Sequence, residues 1–345
     1  MSQISGETPQ SAKKSKFEDR FIPGVLMAVV IAVMANAIGK VYPVSGGAVT
    51  AIIIGFLARN FLGLPKIFEK GLDYTIKKLL KVAIVLMGFG LSFATVVEIS
   101  ASAVLVVSVT VVLGLGLTIL VGRWFGLKGD LPLLIGIGTS ICGATAIATT
   151  SPILKAKEQD FVYAVNTIFA FNVLAVVFYP LIGQLLGFSD QIFGMWAGAA
   201  IHDTSSVVAA GYLYSDEAGS ISVVVKLLRT LTLIPLALLL AVFVSYRTKS
   251  EQTKAEKVKI SKIFPYFILV FVGVVLLNTF VPFPEIISES TNQFAKFLIV
   301  MVMASVGLKA SFKDIKKIGP RPFIVGLIAS VIIGVVSISL ILALV

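Results

Sequence analysis

Two cations stand three residues apart inside an apolar run, VVVKLLRTLTLIP (223–235). If the run is helical, Lys226 and Arg229 share one face. Each costs about 2.5–3.5 kcal/mol at a bilayer centre on insertion scales. The pair therefore asks for compensation, from an anion or from headgroups reached by snorkelling. WAGAAIHDTSSVVAAG (196–211) carries the single histidine, His202, followed by Asp203. Asp203 or Thr204 reads as the N-cap of a half-helix running to Ala210. Intramembrane carboxylates are also proton or cation ligands. His202 is either a packed core group or a second titrating one. A third run, GIGTSICGATAIATTSP (136–152), offers glycines for close backbone approach and a series of hydroxyls. A break near Cys142–Gly143 opens a half-helix at Ala144, whose free N–H groups carry about half a positive charge. Such an end holds an anion. The same small residues also suit a plain packing helix.

These runs define an expected anion site. Its members are Thr139, Ser140, Cys142, Gly143, Thr145, Thr204, Ser205, Lys226 and Arg229, with the two cations facing a cavity and Asp203 as their internal partner. Asp203 and His202 are the groups for a proton or coupling ion, and Asn166 and Asn172 are further lining candidates. Other chemistry finds little support. One Cys and one His make a metal cluster improbable, and HExxH is absent. No Walker-type phosphate loop is present, and the one His is not read as part of a Ser-His-Asp triad. The expectation is therefore not an enzyme and no cofactor, with H⁺ or Na⁺ as the coupling ion.

The elements that must position these groups are set by composition. Of 345 residues, 57% are hydrophobic and 14% charged, against about 25% charged in soluble domains. Mean hydropathy is +0.99. These figures exclude a soluble domain, a disordered chain and a nucleic-acid binder. They predict an all-α integral membrane bundle of about eleven segments at about 20 residues each. The apolar stretches lie at 22–38, 46–63, 78–97, 101–123, 131–154, 161–187, 191–213, 219–246, 263–281, 292–310 and 322–344. Residues 1–20 read as a disordered cytoplasmic tail, and 21–345 as a single transmembrane transport domain. Ala35-Asn36-Ala37 resembles a signal-peptidase site, but a first membrane helix is the preferred reading. Residues 65–77 read as an amphipathic surface helix, with Ile67, Phe68, Leu72 and Ile76 toward lipid.

The net charge of +11 is a topology signal. With the N-terminus in the cytoplasm, most Lys and Arg fall on the inner side, including the basic loop 247–262. Glu98, Asp216, Glu217, Glu285 and Glu289 fall in outer loops. Lys155 and Lys157 resist simple alternation. They return inside if 131–154 is a re-entrant hairpin, and parity then requires 191–213 to be a second hairpin from the outer side. Crossing broken helices are the alternative. The C-terminus then lies outside.

An inverted repeat is also expected. VLMGFGLSFA (85–94) aligns with VMASVGLKAS (302–311), and CGATAIAT (142–149) with DTSSVVAA (203–210). Paired interruptions of this kind point to a midplane binding site in secondary transporters.

GTSICGATAIA (138–148), AIHDTSSVVAAG (200–211) and VKLLRTLTLIP (225–235), in this order, resemble the YeiH-type bacterial membrane proteins, a family labelled as sulfate exporters. The likeness runs from about residue 20 onward. Family members carry an acidic residue after the histidine, matched by Asp203, and often Gln where this chain has Ser206. The family's Lys and Arg fall on Lys226 and Arg229. The resemblance implies a multi-pass bacterial inner-membrane transporter of sulfate, sulfite or a sulfonate. The expected partners are that small anion and membrane lipid, with self-association open. The alternatives are an anion channel, an uptake symporter for an organic anion coupled to Na⁺ or H⁺, and an intramembrane enzyme using His202 and Asp203.

Overall fold

The computed structural model describes residues 21–41, 47–247, 264–281, 283–311 and 319–344. The tail 1–20 and all of the basic loop beyond Arg247 lie outside them. Within the described residues every regular element is helical. Six helices are long and apolar enough to cross a membrane: Ile22–Gly39, Phe93–Trp124, Glu158–Leu185, Asp216–Val244, Ile286–Lys309 and Pro320–Leu344. Four shorter apolar helices accompany them, at Gly47–Leu62, Leu131–Ser140, Ala144–Leu154 and Tyr266–Phe280.

The chain forms two compact units, residues up to 83 with 293–311, and 84–292 with 312–345. The first unit contains α1 (Ile22–Val41), α2 (Gly47–Leu57, extended by a π turn to Leu62) and α3 (Glu69–Tyr74). A close backbone crossing holds it: a Cβ on Gly55 would stand 2.5 Å from the Ala304 carbonyl oxygen. Asn60 Nδ2 donates to the carbonyls of Phe56 (2.8 Å) and Ala310 (3.0 Å), and Lys309 pairs with Asp73. The surface-helix expectation needs one correction. Leu72 is fully buried, because Gly71 beside it packs on Gly24 of α1. An amphipathic pattern does not distinguish a lipid-facing leucine from one facing another helix, since lipid tails are as apolar as Leu.

The second unit holds the sequence motifs. α4 (Leu80–Met87) leads into it through a 3-10 turn at Gly88–Gly90, and α5 (Phe93–Trp124) follows. Ser92 caps α5 by accepting a hydrogen bond from Thr95 N. Glu98 is therefore inside the first turns of a helix and not in a loop. Next come α6 (Leu131–Ser140), α7 (Ala144–Leu154), α8 (Glu158–Leu185), α9 (Asp190–Ala200), α10 (Thr204–Tyr214), α11 (Asp216–Leu231), α12 (Leu233–Arg247) and α13 (Tyr266–Phe280). α14 (Glu285–Lys309) gives its first residues to this unit, and α15 (Pro320–Leu344) closes it.

Both interrupted segments fold back on themselves. In the first, a Cβ on Gly138 of α6 would stand 2.7 Å from Ile147 Cδ1 of α7. At its base Leu131 and Leu154 share one apolar cluster with Phe125, Leu127, Ala156 and Phe161. A Cβ on Gly129 would stand 3.0 Å from Asp160 Oδ2, so the segment begins and ends at the Glu158 end of α8. Lys155 and Lys157 lie at the end where α5 finishes, which is the hairpin and not the crossing alternative. In the second, the rings of Phe193 (α9) and Tyr214 (α10) stack at 3.9 Å. Tyr214 Oη donates to the Phe188 carbonyl and lies 3.4 Å from the Gly183 carbonyl. This hairpin is therefore based at the Leu185 end of α8. The two hairpins enter from opposite ends of one 28-residue helix, and their tips meet beside its middle.

Candidate functional site

A helix interrupted in mid-bundle leaves its last carbonyls without partners. α6 ends at Ser140 and α9 at Ala200, and both ends point into the apolar interior. Lys226 and Arg229 answer those carbonyls. Lys226 Nζ donates to the carbonyls of Ile141 (2.8 Å), Ile201 (2.9 Å) and His202 (2.5 Å). Arg229 Nε donates to Ser140 O at 2.7 Å. Its Nη1 donates to Ala199 O (2.5 Å) and Ile201 O (3.2 Å), and its Nη2 to Thr139 O (2.5 Å). An ammonium has three donors, and here all three are used. The one-turn spacing on α11 lets a single face grip both tips. The cations also oppose the partial negative charge of two helix C-termini.

This placement corrects an expectation. Lys226 and Arg229 have no exposed surface, so they sit behind the tips rather than facing a cavity. The Lys226 donors go to carbonyls and not to Asp203. Snorkelling is equally set aside, since both heads are directed inward.

The N-terminal sides of the breaks differ from each other. α7 opens at Ala144, as the sequence predicts. Its N-cap is Gly143 at φ +63°, with no side-chain cap. That left-handed backbone suits glycine. α10 opens at Thr204 and is capped by Asp203, whose Oδ2 accepts from Ser205 N (2.9 Å) and from Ser205 Oγ. Asp203 N donates to Asn172 Oδ1 of α8 at 3.0 Å, so Asn172 serves as an interhelical tie. A Cβ on Gly143 would stand 3.4 Å from Asp203 Cβ, which puts the two helix openings side by side.

The predicted site residues thus divide into two groups. Thr145 is exposed, and Asp203 and Thr204 are half-buried around the two openings. Thr139, Ser140, Cys142, Gly143, His202, Ser205, Lys226 and Arg229 are buried. Thr139 Oγ1 bonds back to Ile135 O, and Ser140 Oγ has no hydrogen-bond partner in the protein. Asn166 is half-buried on α8. Sequence reasoning missed Ser330. It lies on α15 with its Oγ 2.8 Å from His202 Nε2, while His202 Nδ1 is 2.9 Å from Thr139 O. One of three serines in a long apolar helix, Ser330 carries no sequence signal of that contact. Among the described residues no group of three His, Cys, Asp or Glu is arranged to hold a metal ion.

The comparisons agree with the motifs. Residues 23–326 match the family described as Conserved hypothetical protein 698. A UPF0324 membrane protein of Clostridium tetani is 38% identical over 334 residues, covering 93% of this chain and 96% of its own. UPF0324 membrane protein SAG1125 of Streptococcus agalactiae is 34% identical, covering 92% and 96%. UPF0324 membrane protein spr0034 of Streptococcus pneumoniae is 36% identical, covering 88% and 92%. No solved structure matches the chain. With the likeness extending over nearly the whole of each chain, the protein belongs to the YeiH-type UPF0324 family of membrane proteins.

Proposed function

We propose that the chain is a secondary transporter that moves a small anion by alternating access around the two hairpin tips. The observation that carries this reading is the pair of helix openings at Ala144 and Thr204. They lie side by side, partly exposed, with two buried cations behind them and one carboxylate between them. Two formal positive charges against one negative leave an excess that suits an anion. The N–H groups at the uncapped opening of α7 supply the hydrogen bonds for it. Thr145 and Thr204 line the site. Asp203 is the group through which H⁺ or Na⁺ couples.

In this reading the hairpins are re-entrant. The bundle comprises about eleven membrane segments in a bacterial inner membrane, with the N-terminus cytoplasmic and the C-terminus outside. The hairpins form the structural core of an inverted arrangement. α7 and α10 each have eleven residues and open at Gly143 and Asp203. This supports pairing the two segments, one residue out of the alignment read from sequence. The cargo class, a sulfur oxyanion, comes from the resemblance to the YeiH-type proteins.

The test is a panel of sulfate, sulfite, thiosulfate, a sulfonate, a dicarboxylate and chloride. Thermal unfolding of purified protein is followed at fixed ionic strength, with and without Na⁺. A ligand at a hundred times its Kd stabilises by about 2.7 kcal/mol. A sulfur oxyanion is expected to raise Tm, and Thr145→Val to weaken the effect. Stabilisation by a carboxylate alone removes the sulfur cargo. No response to any anion removes the site. Flux in proteoliposomes that never saturates replaces the transporter with a channel.

A further inference from the structure

We propose that His202 is an uncharged positioning residue, protonated on Nδ1, that pins the first hairpin to the second and to α15. The inference deepens the transport reading, because it leaves Asp203 as the group at the tips for the coupling ion. Its first test does not depend on transport.

Thr139 O is a carbonyl and only accepts, so the 2.9 Å contact requires a proton on His202 Nδ1. Ser330 Oγ stands 2.8 Å from His202 Nε2 and also 2.8 Å from Gly326 O. Its single hydroxyl proton serves one of them. With a neutral ring, Ser330 donates to Nε2. With a charged ring, Nε2 donates to Ser330, which donates to Gly326 O. Geometry admits both states, and the neighbouring charges select between them.

Lys226 Nζ is bonded to the carbonyl of His202 itself. Arg229 Nη2 is bonded to the same Thr139 oxygen that receives Nδ1. The carboxylate at the tips, Asp203, has its Oδ2 engaged by both donors of Ser205. Cys142 is buried at the other tip. The contacts made by the ring on α6 and α15 are a carbonyl and a hydroxyl. A third positive charge would share an acceptor with a guanidinium and lack a carboxylate of its own. The ring is therefore neutral, and its tautomer is fixed by the hydrogen bonds on each side. That tautomer is the reverse of the Nε2–H form that free imidazole side chains favour in water.

The chain has one histidine, so ¹⁵N-histidine labelling of tag-free protein reports this ring without assignment. The expected spectrum is a neutral ring with the protonated-type signal on Nδ1 and the bare-type signal on Nε2, unchanged between pH 5 and 8. A neutral Nε2–H ring, or an imidazolium forming within that range, overturns the proposal.

A second measurement separates positioning from proton carriage. His202→Asn keeps a donor for Thr139 O and is expected to retain the pH profile of anion uptake and most of the unfolding midpoint. His202→Ala is expected to lower that midpoint by several degrees. A flattened pH profile in His202→Asn identifies His202 as the proton carrier and overturns the proposal. If no anion is transported at all, the proposed function fails while the nitrogen spectrum still decides the state of His202.

Discussion

The two hairpin tips solve one problem in different ways. Each is a short break between antiparallel half-helices, and each gives its C-terminal carbonyls to Lys226 and Arg229. At the opening of the following helix they diverge. The first tip turns through Gly143 at φ +63° and has no side-chain cap. The second turns through His202 and Asp203 and supplies its own carboxylate. One positive helix end is capped by a carboxylate, and its neighbour has no such cap. In the proposed transport reading, the capped hairpin is a wall and the other offers N–H groups to the anion.

That contrast can be broken by mutation. The largest effect is expected from Arg229→Met, which strips Ser140 and Ala199 of their buried partner, one at each tip, and leaves Thr139 O to His202 alone. An unpaired buried acceptor costs about 1–3 kcal/mol, so Tm in detergent should fall steeply, with Arg229→Lys intermediate. Gly143→Ala tests the first tip alone. The backbone there is the kind that only glycine adopts freely, and about 1–3 kcal/mol of strain is expected, read as a lower Tm. Asp203→Ala tests the second tip and should cost about 1 kcal/mol through the lost cap. Asp203→Asn keeps a cap and should cost less, while altering the response to pH or Na⁺. The smallest effect concerns two hydroxyls on α5. Thr110 and Thr118 are buried on α5, and their hydroxyls have no hydrogen-bond partner in the protein. Thr110→Val and Thr118→Val should leave Tm unchanged or raise it slightly, because replacing an unpaired hydroxyl by a methyl of similar shape removes a desolvation cost.

Much of the hairpin architecture is legible in the amino-acid sequence. Lys155 and Lys157 favour a first segment that turns back over one that crosses, and glycine-rich, hydroxyl-rich composition locates both breaks. Ala144 and Asp203 read as helix boundaries because a breaker and a cap are local signals. The role of Lys226 and Arg229 is not legible in the same way. Their need for compensation is a property of the residues, but which carbonyls lie orphaned beside them depends on how two distant segments fold. An external anion and an internal helix end present the same kind of negative charge to a guanidinium. Glu98 reads as a loop residue because one charge interrupts an apolar run, whereas Gly88–Gly90 and the Ser92 cap set the true boundary between α4 and α5.

The length of the hairpin arms has a consequence of its own. Ten or eleven residues per arm reach about 16 Å, close to half of a hydrocarbon core of about 30 Å. In a bilayer, a charge arriving at the meeting point from either face crosses about half of the membrane field, worth about 1.2 kcal/mol per unit charge at 100 mV. In the proposed re-entrant arrangement the tips stand at an electrical distance of about one half. Loading from one side and release to the other would share the membrane voltage almost equally between them.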